Sequence, residues 1–296
     1  MPARKHKDAL EHQYRTYHKR QFVHPDPLEF LYDYPDPADR EIVALIAAVL
    51  AYGRVTQILV SVRRALDRLG PSPGRYVRDT SPARMKTDLA GFKHRWTTGD
   101  DLAAMLAGAR RTIARHGSLG ECLAGNIRPG DETVAAALAG LVGELSAFAP
   151  GVSLLPDPAR GSACKRLHLM LRWLVRRDEV DPGGWDNIPA RMLVVPVDVH
   201  MHRIARTLEL TARNAADGKT ALEITKAFAA ISPDDPVRYD FSLTRLGLNP
   251  DVHMSDFLAR LCGQEEGRGL AYSHMNLRFT RKRAGKNEKK VLAHRA

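Results

Sequence analysis

The stretch DREIVALIAAVLAYGRVTQILVSVRRALDRLG, residues 39–70, decides the fold class. Its apolar residues recur at three- and four-residue spacing, which is the period of an amphipathic helix. The residues that set this period are Ile42, Leu45, Ile46, Val49 and Leu50. Gly53 lies in the middle of the stretch and predicts a break or a bend there. The segment therefore predicts two consecutive helices.

Segments on the C-terminal side of this stretch show the same helical period. GDDLAAMLAGARRTIARHG (99–117) has acids in its first turn, basic residues later and a glycine stop, as helices with a compensated dipole do. The other predicted helices lie at 131–150, 161–178, 198–210, 218–231 and 235–248. Because no segment alternates as a strand does, the sequence predicts an all-α protein, with two helical lobes around a cleft.

Charge and apolar content divide the chain into three parts. We predict a basic N-terminal arm over 1–24, a helical domain over 25–250 and a basic, disordered C-terminal tail over 251–296. Most of the net charge of +11 lies in the two ends. Basic ends suit contact with a phosphate backbone, because binding releases counterions. Solvated, disordered arms explain the same charge equally well.

Composition argues against several classes of protein. The chain has no run of about 18 apolar residues, so no membrane span is predicted. Its N-terminus is charged and lacks the apolar segment of a signal peptide, which predicts a cytoplasmic protein. The three cysteines, Cys122, Cys164 and Cys262, are too few and too far apart for a disulfide framework or a four-thiolate cluster. No histidine has zinc-site spacing with a cysteine, so we expect no metal site. We also expect no other cofactor, and we expect the protein to be a monomer.

The helix predicted at 161–178, GSACKRLHLMLRWLVRRD, is the most basic core helix. Gly161 and Ser162 predict its start, with Ser162 as the N-cap, so that Lys165 falls in the first turn. The helix dipole and the adjacent Arg166 both disfavour a protonated amine there, and a neutral amine is what nucleophilic catalysis requires. An ordinary solvated lysine is the simpler interpretation of the same pattern.

A single carboxylate, Asp198, separates a buried-looking apolar run from an amphipathic helix in VVPVDVHMHRIARTLEL, residues 194–210. At the start of a helix this carboxylate accepts hydrogen bonds from amides two or three residues on, which is worth about 1 kcal/mol. Capping is therefore the simplest interpretation. A carboxylate fixed at the edge of a dry wall also suits stabilisation of a developing cation, and the two roles are compatible.

Two of these segments resemble the helix-hairpin-helix (HhH-GPD) DNA glycosylase superfamily. VPVDVHMHRIARTLEL is similar to the segment in which the aspartate that opens the helix is catalytic, and Asp198 stands at that position. ARGSACKRLHLMLRW is similar to the end of the hairpin and the helix that carries the catalytic lysine, which would be Lys165. The separation of the two residues is close to that in archaeal 8-oxoguanine glycosylases.

Two further segments extend the resemblance to roughly residues 25–250. VALIAAVLAYGRVTQI resembles the helix that holds intercalating and base-pocket residues in those enzymes. YDFSLTRLGL resembles their final core helix, with Asp240 at the position of a base-contacting acid. The whole chain most resembles a bacterial family that is a distant relative of these glycosylases.

The resemblance implies a DNA glycosylase of base excision repair that acts on a damaged base in duplex DNA. Lys165 would attack C1′ and form a Schiff base, Asp198 would stabilise the positive charge on the sugar, and strand cleavage would follow at the abasic site. Tyr52 or Arg54 would fill the gap left by the flipped base. The residues expected to contact that base are Asp240, Trp173, Tyr239 and Phe241, although Trp173 also fits an ordinary core position.

The same resemblance implies contacts with the DNA backbone, which position a protein without reading sequence. The residues expected to make them are Gly161, Ser162, Arg166, Arg172, Arg176 and Arg177. LPDPARGSA (155–163) departs from the usual hairpin pattern L-P-G-V-G and keeps only Gly161. This departure favours a non-catalytic nucleic-acid-binding protein on the same scaffold. A third alternative is an N-glycosidase acting on RNA or nucleosides, because the lysine–aspartate pair suits any N-glycosidic bond.

Overall fold

A computed structural model describes residues 5–147 and 154–246, and this part of the chain is mostly helical. The predicted all-α class is confirmed. The helices are α1 (Lys7–Tyr17), α2 (Pro37–Val49), α3 (Val55–Leu69), α4 (Pro73–Asp79), α5 (Pro82–Asp88), α6 (Gly99–His116), α7 (Leu119–Gly125), α8 (Ala135–Leu145), α9 (Lys165–Val175), α10 (Val199–Thr207), α11 (Gly218–Ala229) and α12 (Asp240–Leu246). Short 3₁₀ helices lie at Arg20–Phe22, Pro27–Asp33, Pro158–Arg160 and Ala190–Met192.

The predicted break inside residues 39–70 is confirmed. Helix α2 ends at Val49, helix α3 begins at Val55, and Gly53 between them has a φ of +98°, a left-handed conformation that favours glycine. The residues from Ile42 to Leu50 are all buried, so this part of α2 is a core helix and not an amphipathic surface helix. Helices α4 and α9 pack directly against it.

Helix α6 has the caps that its sequence predicts. The Thr98 hydroxyl accepts a hydrogen bond from the Asp101 amide, and the Asp101 carboxylate accepts one from the Thr98 amide, which together form a capping box. The helix ends at Gly117, whose φ is +93°. Within the helix, a Cβ on Gly108 would lie 2.1 Å from the Leu145 carbonyl oxygen, so glycine allows α6 and the end of α8 to approach closely.

The described part of the predicted N-terminal arm, residues 5–24, contacts the rest of the domain. Residues 7–17 form α1, which packs against α12 and buries Leu10 completely. The Tyr239 hydroxyl donates to Glu11 over 2.6 Å, and Arg238 pairs with the same carboxylate at 3.2 Å. The segment is basic in composition, but its apolar residues form this contact with α12. Its net charge therefore gave no indication of the packing. The predicted tail at 251–296 lies outside the described residues.

Two features complete the fold. A short antiparallel hairpin, β1 (Lys93–His94) and β2 (Thr97–Thr98), connects α5 to α6 and was not predicted from the sequence. No helix over 5–147 and 154–246 is long and apolar enough to cross a membrane.

Candidate active site

The candidate nucleophile Lys165 is the first residue of α9, so its predicted place in the first turn is confirmed. The predicted N-cap is wrong. Cys164 occupies that position with a φ of +45°, and its side chain caps no amide. Ser162 instead accepts a hydrogen bond from the Cys164 amide over 3.2 Å, which stabilises the turn ahead of the helix.

The side chains of Lys165 and Asp198 meet, although 32 residues of chain separate them. The Lys165 Nζ lies 3.0 Å from the Asp198 Oδ2. Both side chains are partly accessible, with exposed fractions of 34% and 25%. The other oxygen, Oδ1, accepts a hydrogen bond from the Met201 amide over 2.8 Å and caps α10. Asp198 therefore caps a helix and holds an amine at the same time.

Burial and the neighbouring polar groups together determine the pKa of the Asp198 carboxyl. Burial alone would raise it, because a low-dielectric surrounding disfavours the charged form. The Lys165 ammonium and the Met201 amide both favour the carboxylate and outweigh burial, so the pKa lies below its ordinary value. Asp198 is consequently ionised at neutral pH and available to a cation.

Lys165 lines a pocket of about 510 Å³. The residues around this pocket are Asp26, Pro27, Ala51, Tyr52, Gly53, Ile58, Pro156, Ser162, Cys164, Lys165, Arg166 and Leu169. They come from the 3₁₀ helix at Pro27–Asp33, the α2–α3 connection, the first turns of α3 and α9 and the segment before α9. The pocket thus combines an aromatic ring, an amine and a guanidinium in a partly apolar wall.

Arg166 forms part of the pocket wall. Its guanidinium donates to the Val49 carbonyl over 2.6 Å and lies 5.3 Å from the centre of the Tyr52 ring. Burial lowers the pKa of Arg166. The contact with Val49 ties α9 to the end of α2, so Arg166, for which a contact with the DNA backbone was predicted, lies in the pocket wall.

The predicted phosphate contacts of Arg172 and Arg176 are not compatible with this structure, since both side chains are buried. Arg172 is 2% exposed, pairs with Asp240 and lies 3.2 Å from Asp181. Arg176 pairs with the carboxylates of Asp178, Asp181 and Asp235. These ion pairs hold both guanidinium groups in the core, away from a phosphate. Arg177, the next residue, is exposed and pairs with Asp186 at 3.1 Å.

The predicted base contacts of Asp240 and Trp173 are corrected for the same reason. Asp240 is buried, and one of its carboxylate oxygens is held by Arg172. Trp173 is 1% exposed and belongs to the core, as do Tyr239 and Phe241. None of these four side chains reaches the pocket.

The turn that stands where a DNA-gripping hairpin was predicted uses its amides internally. Gly161 has a φ of +79°, and its amide donates to the Pro158 carbonyl over 3.0 Å. Its carbonyl accepts from the Gly218 amide over 2.9 Å. The Gly161 amide is therefore engaged and does not point to a phosphate, whereas Ser162 lines the pocket. Arg54 is exposed at the start of α3.

Asp26 and Cys164 are the pocket residues with an ionisable side chain that were not predicted as site residues. Asp26 accepts a hydrogen bond from the Leu28 amide over 2.9 Å and pairs with Arg245. In the sequence, Asp26 followed by Pro27 is a typical helix start, so its local signal indicates a cap rather than a site. Cys164 takes a left-handed conformation that no local pattern indicates.

One cluster, His18, Asp178 and Asp181, has the ligand types of a metal site, with ligand atoms within 4.8 Å of one another. The Arg176 guanidinium lies 2.8 Å from Asp178 and pairs with Asp181. The carboxylates are thus already neutralised by a fixed cation, which is the arrangement of an ion-pair network.

The sequence comparisons place the chain in a family. Residues 26–249 match the family described as "Protein of unknown function (DUF2400)". The chain belongs to this family. The DUF2400 match includes the pocket residues and the Lys165–Asp198 pair. No match is found among curated proteins or among solved structures.

Proposed function

We propose that this DUF2400 protein is a DNA glycosylase with abasic-site lyase activity that removes a damaged base from duplex DNA. The proposal includes an HhH-GPD-like scaffold in which two helical lobes enclose the substrate cleft. One observation carries it: the Lys165 amine lies 3.0 Å from the Asp198 carboxylate, and Lys165 lines a pocket of about 510 Å³. An amine beside a carboxylate at a cavity is what an imine-forming glycosylase requires.

The first step transfers one proton. The Lys165 ammonium gives a proton to Asp198, which leaves a neutral amine with a free electron pair. The pair attacks C1′ of the nucleotide as the N-glycosidic bond breaks, and the departing base takes the bonding electrons and the proton that Asp198 accepted, which restores the carboxylate. The attached nitrogen then gives one proton to O4′ as the C1′–O4′ bond opens, which leaves an iminium ion between Lys165 and the sugar. Loss of a C2′ proton and of the 3′ phosphate from this ion cleaves the strand.

Asp198 has a second role in the same step. Departure of the base develops positive charge on the sugar, and a fixed carboxylate stabilises that charge. Its Oδ1 is held by the Met201 amide, so the carboxylate does not need to reorient during the reaction. The other oxygen, Oδ2, lies 3.0 Å from the Lys165 amine, the group that attacks the sugar.

The pocket suits a nucleobase that has left its stack. Tyr52 offers an aromatic face, and Arg166 and Ser162 offer hydrogen-bond donors to base carbonyls. Extrusion of a base costs a few kcal/mol, least for a damaged pair. The exposed Arg54 and the basic residues at both chain ends provide cations for the phosphates. A cytoplasmic monomer is the expected form.

The test is base release from duplexes that carry 8-oxoguanine, uracil or thymine glycol. We expect wild type to release at least one of these bases and Lys165→Gln to release none while it binds the same duplex. Lys226→Gln removes an exposed lysine on α11 and should match wild type. If wild type releases no base, or Lys165→Gln retains full turnover, the proposal fails.

A non-catalytic nucleic-acid-binding protein is the second candidate. The departure of residues 155–163 from the usual hairpin pattern favours it, because the Gly161 amide is bonded to the Pro158 carbonyl. This candidate predicts steeply salt-dependent DNA binding, no base release and tolerance of Lys165→Gln. Base release that is inhibited better by single-stranded RNA than by duplex DNA would indicate an RNA N-glycosidase instead.

A further inference from the structure

An exposed tryptophan lies beside the pocket and has no role in the proposed chemistry. Trp96 is 71% exposed, whereas Trp173 and Trp185 are buried at 1% and 4%. An indole that remains in water forgoes the stabilisation that burial of a large aromatic ring provides. Single exposed aliphatic side chains are ordinary, but an aromatic ring held at the mouth of a pocket indicates a contact surface.

The ring is held in place by the β1–β2 hairpin. Arg95 and Trp96 form its turn, and Arg95 has a φ of +53°, a conformation that costs a non-glycine residue on the order of 1 kcal/mol. His94 is buried and lies 2.8 Å from the Ser61 hydroxyl and 3.1 Å from the Tyr52 carbonyl. Because that carbonyl only accepts, the Nε2 of His94 donates to it. The turn is therefore anchored rather than loose.

The hairpin is also part of the pocket mouth. The Tyr52 hydroxyl donates to the His94 carbonyl over 2.8 Å. The Tyr52 and Trp96 rings are stacked, with centres 5.9 Å apart and planes at 9°. Tyr52 lines the pocket, so the aromatic surface runs continuously from the pocket wall to the exposed indole.

Cations surround this aromatic surface. The Arg95 guanidinium lies 4.4 Å from the centre of the Trp96 ring, and Lys93 is exposed just before the turn. Arg54 is also exposed, and it follows Gly53, where an added Cβ would lie 3.0 Å from the Arg95 side chain. The acids that follow the hairpin are engaged: Asp101 caps α6, and Asp100 lies 3.8 Å from Lys86. A ring flanked by positive charge matches a nucleotide, which presents a flat base between negative phosphates.

We propose that the Arg95–Trp96 turn binds a nucleobase outside the pocket. The indole of Trp96 stacks on a base next along the strand from the one that enters the pocket, and Arg95 and Lys93 contact the flanking phosphates. A base must be unstacked from its neighbour before an indole reaches its face, so the turn favours single-stranded or locally opened DNA over intact duplex. The inference rests only on the nucleic-acid part of the proposed function and needs no base release.

The experiment separates stacking from charge. The full-length protein is titrated with a single-stranded thymidine oligonucleotide and with a chain of the same length built from abasic spacers, which has the phosphates but no bases. We expect the thymidine oligonucleotide to quench the exposed tryptophan fluorescence, which comes from Trp96. Trp96→Ala should weaken binding of the thymidine oligonucleotide by about tenfold, as loss of one stacked base does.

Three controls make the outcome decisive. Trp96→Ala should bind the spacer chain as wild type does, and Trp96→Phe should recover most of the affinity for the thymidine oligonucleotide. Leu222→Ala removes an exposed apolar side chain on α11 and should leave the affinity for both probes unchanged. Equal loss for both probes, or no loss for either, overturns the inference. Binding is measured without turnover. If wild type binds as expected but releases no base, the glycosylase proposal fails and the inference about Trp96 stands.

Discussion

The two ends of helix α9 both carry basic residues, but these residues differ in burial and in the number of their carboxylate partners. At its start, Lys165 and Arg166 line a pocket, and the Lys165 amine has one carboxylate partner among the described contacts, at 3.0 Å. Towards its end, Arg172 and Arg176 are buried and paired with carboxylates of the 178–181 loop and of residues 235–240. One helix thus holds both the candidate nucleophile and the structural cations.

The difference shows that partners and burial, rather than residue type, decide what a cation does. A buried guanidinium with several carboxylates has a fixed charge, and removal of either partner leaves an uncompensated charge in the core. The Lys165 side chain is about one third exposed, and the other oxygen of its one described carboxylate accepts a hydrogen bond from an amide. Transfer of a proton from the Lys165 amine to Asp198 therefore disturbs one ion pair, whereas loss of charge at Arg172 or Arg176 would disturb more than one.

The largest expected effect comes from the pocket end. Asp198→Asn should reduce base release by roughly 10²–10⁴-fold, because the proton acceptor and the negative charge are both lost. The melting temperature should change little, since asparagine caps helices about as well as aspartate. Single-turnover rates on the best damaged duplex, with thermal melts in parallel, measure both effects.

Asp217→Asn is the matched control for that variant. Asp217 caps α11 through the Thr220 amide with the same geometry, and its ion pair is with Arg213. This variant should keep full activity. If Asp198→Asn keeps its activity and loses only stability, Asp198 is a cap and nothing more.

The second largest effect comes from the buried end. Arg172→Met should lower the free energy of unfolding by roughly 3–5 kcal/mol, because it strands the Asp240 carboxylate in the core. Lys165→Met should cost less than about 1 kcal/mol, since its pair is partly solvated. Urea denaturation at pH 7 measures both. A stable Arg172→Met protein whose DNA affinity depends less on salt would restore the phosphate role predicted for Arg172.

A buried carboxyl, that of Glu41, sharpens the comparison because hydrogen bonds hold it and it forms no ion pair within residues 5–147 and 154–246. Glu41 in α2 is buried and accepts from the Trp185 indole over 3.1 Å and from the Leu119 amide over 3.2 Å. Burial raises the pKa of this carboxyl to about 7, against the opposing effect of the Trp185 hydrogen bond. The folded chain therefore holds a proton that the unfolded chain releases at its ordinary pKa of 4.5.

The sign of the pH dependence follows from this difference. Stability should fall by about 3 kcal/mol as pH rises through the window between those two pKa values, at 1.36 kcal/mol per unit, and should level off above it. Glu41→Gln should remove that slope relative to wild type, as measured by urea denaturation across pH 5–8. Parallel stability curves for the two proteins would show that Glu41 is ionised in the fold.

The smallest effect is expected at Arg177, which adjoins buried Arg176 but is 62% exposed and pairs with an exposed Asp186. Arg177→Ala should change the free energy of unfolding by less than about 0.5 kcal/mol, because solvent screens such pairs. A loss comparable to that of Arg172→Met would mean that burial does not distinguish these arginines.

Local pattern predicted most of the helices but not their contacts. The apolar period and Gly53 predicted α2 and α3, and the acids of the first turn with the final glycine predicted α6. These signals could be recognised because each acts within one helix. The burial of Arg172 depends on Asp240, far along the chain, and no local signal reports that contact. The Arg95–Trp96 turn was missed because its strands are two residues long, too short for an alternating pattern. For the site, only the resemblance pointed to Lys165 and Asp198 together.

The central claim is that the Lys165 amine attacks C1′, and borohydride trapping tests it most directly. The protein is incubated with duplexes that carry 8-oxoguanine, uracil, thymine glycol or an abasic site, reduced, digested and mapped by mass spectrometry. We predict a reduced sugar adduct on the peptide that contains Lys165, and no adduct in Lys165→Gln. Absence of an adduct with all four duplexes, or an adduct that persists on another lysine in Lys165→Gln, would contradict the account.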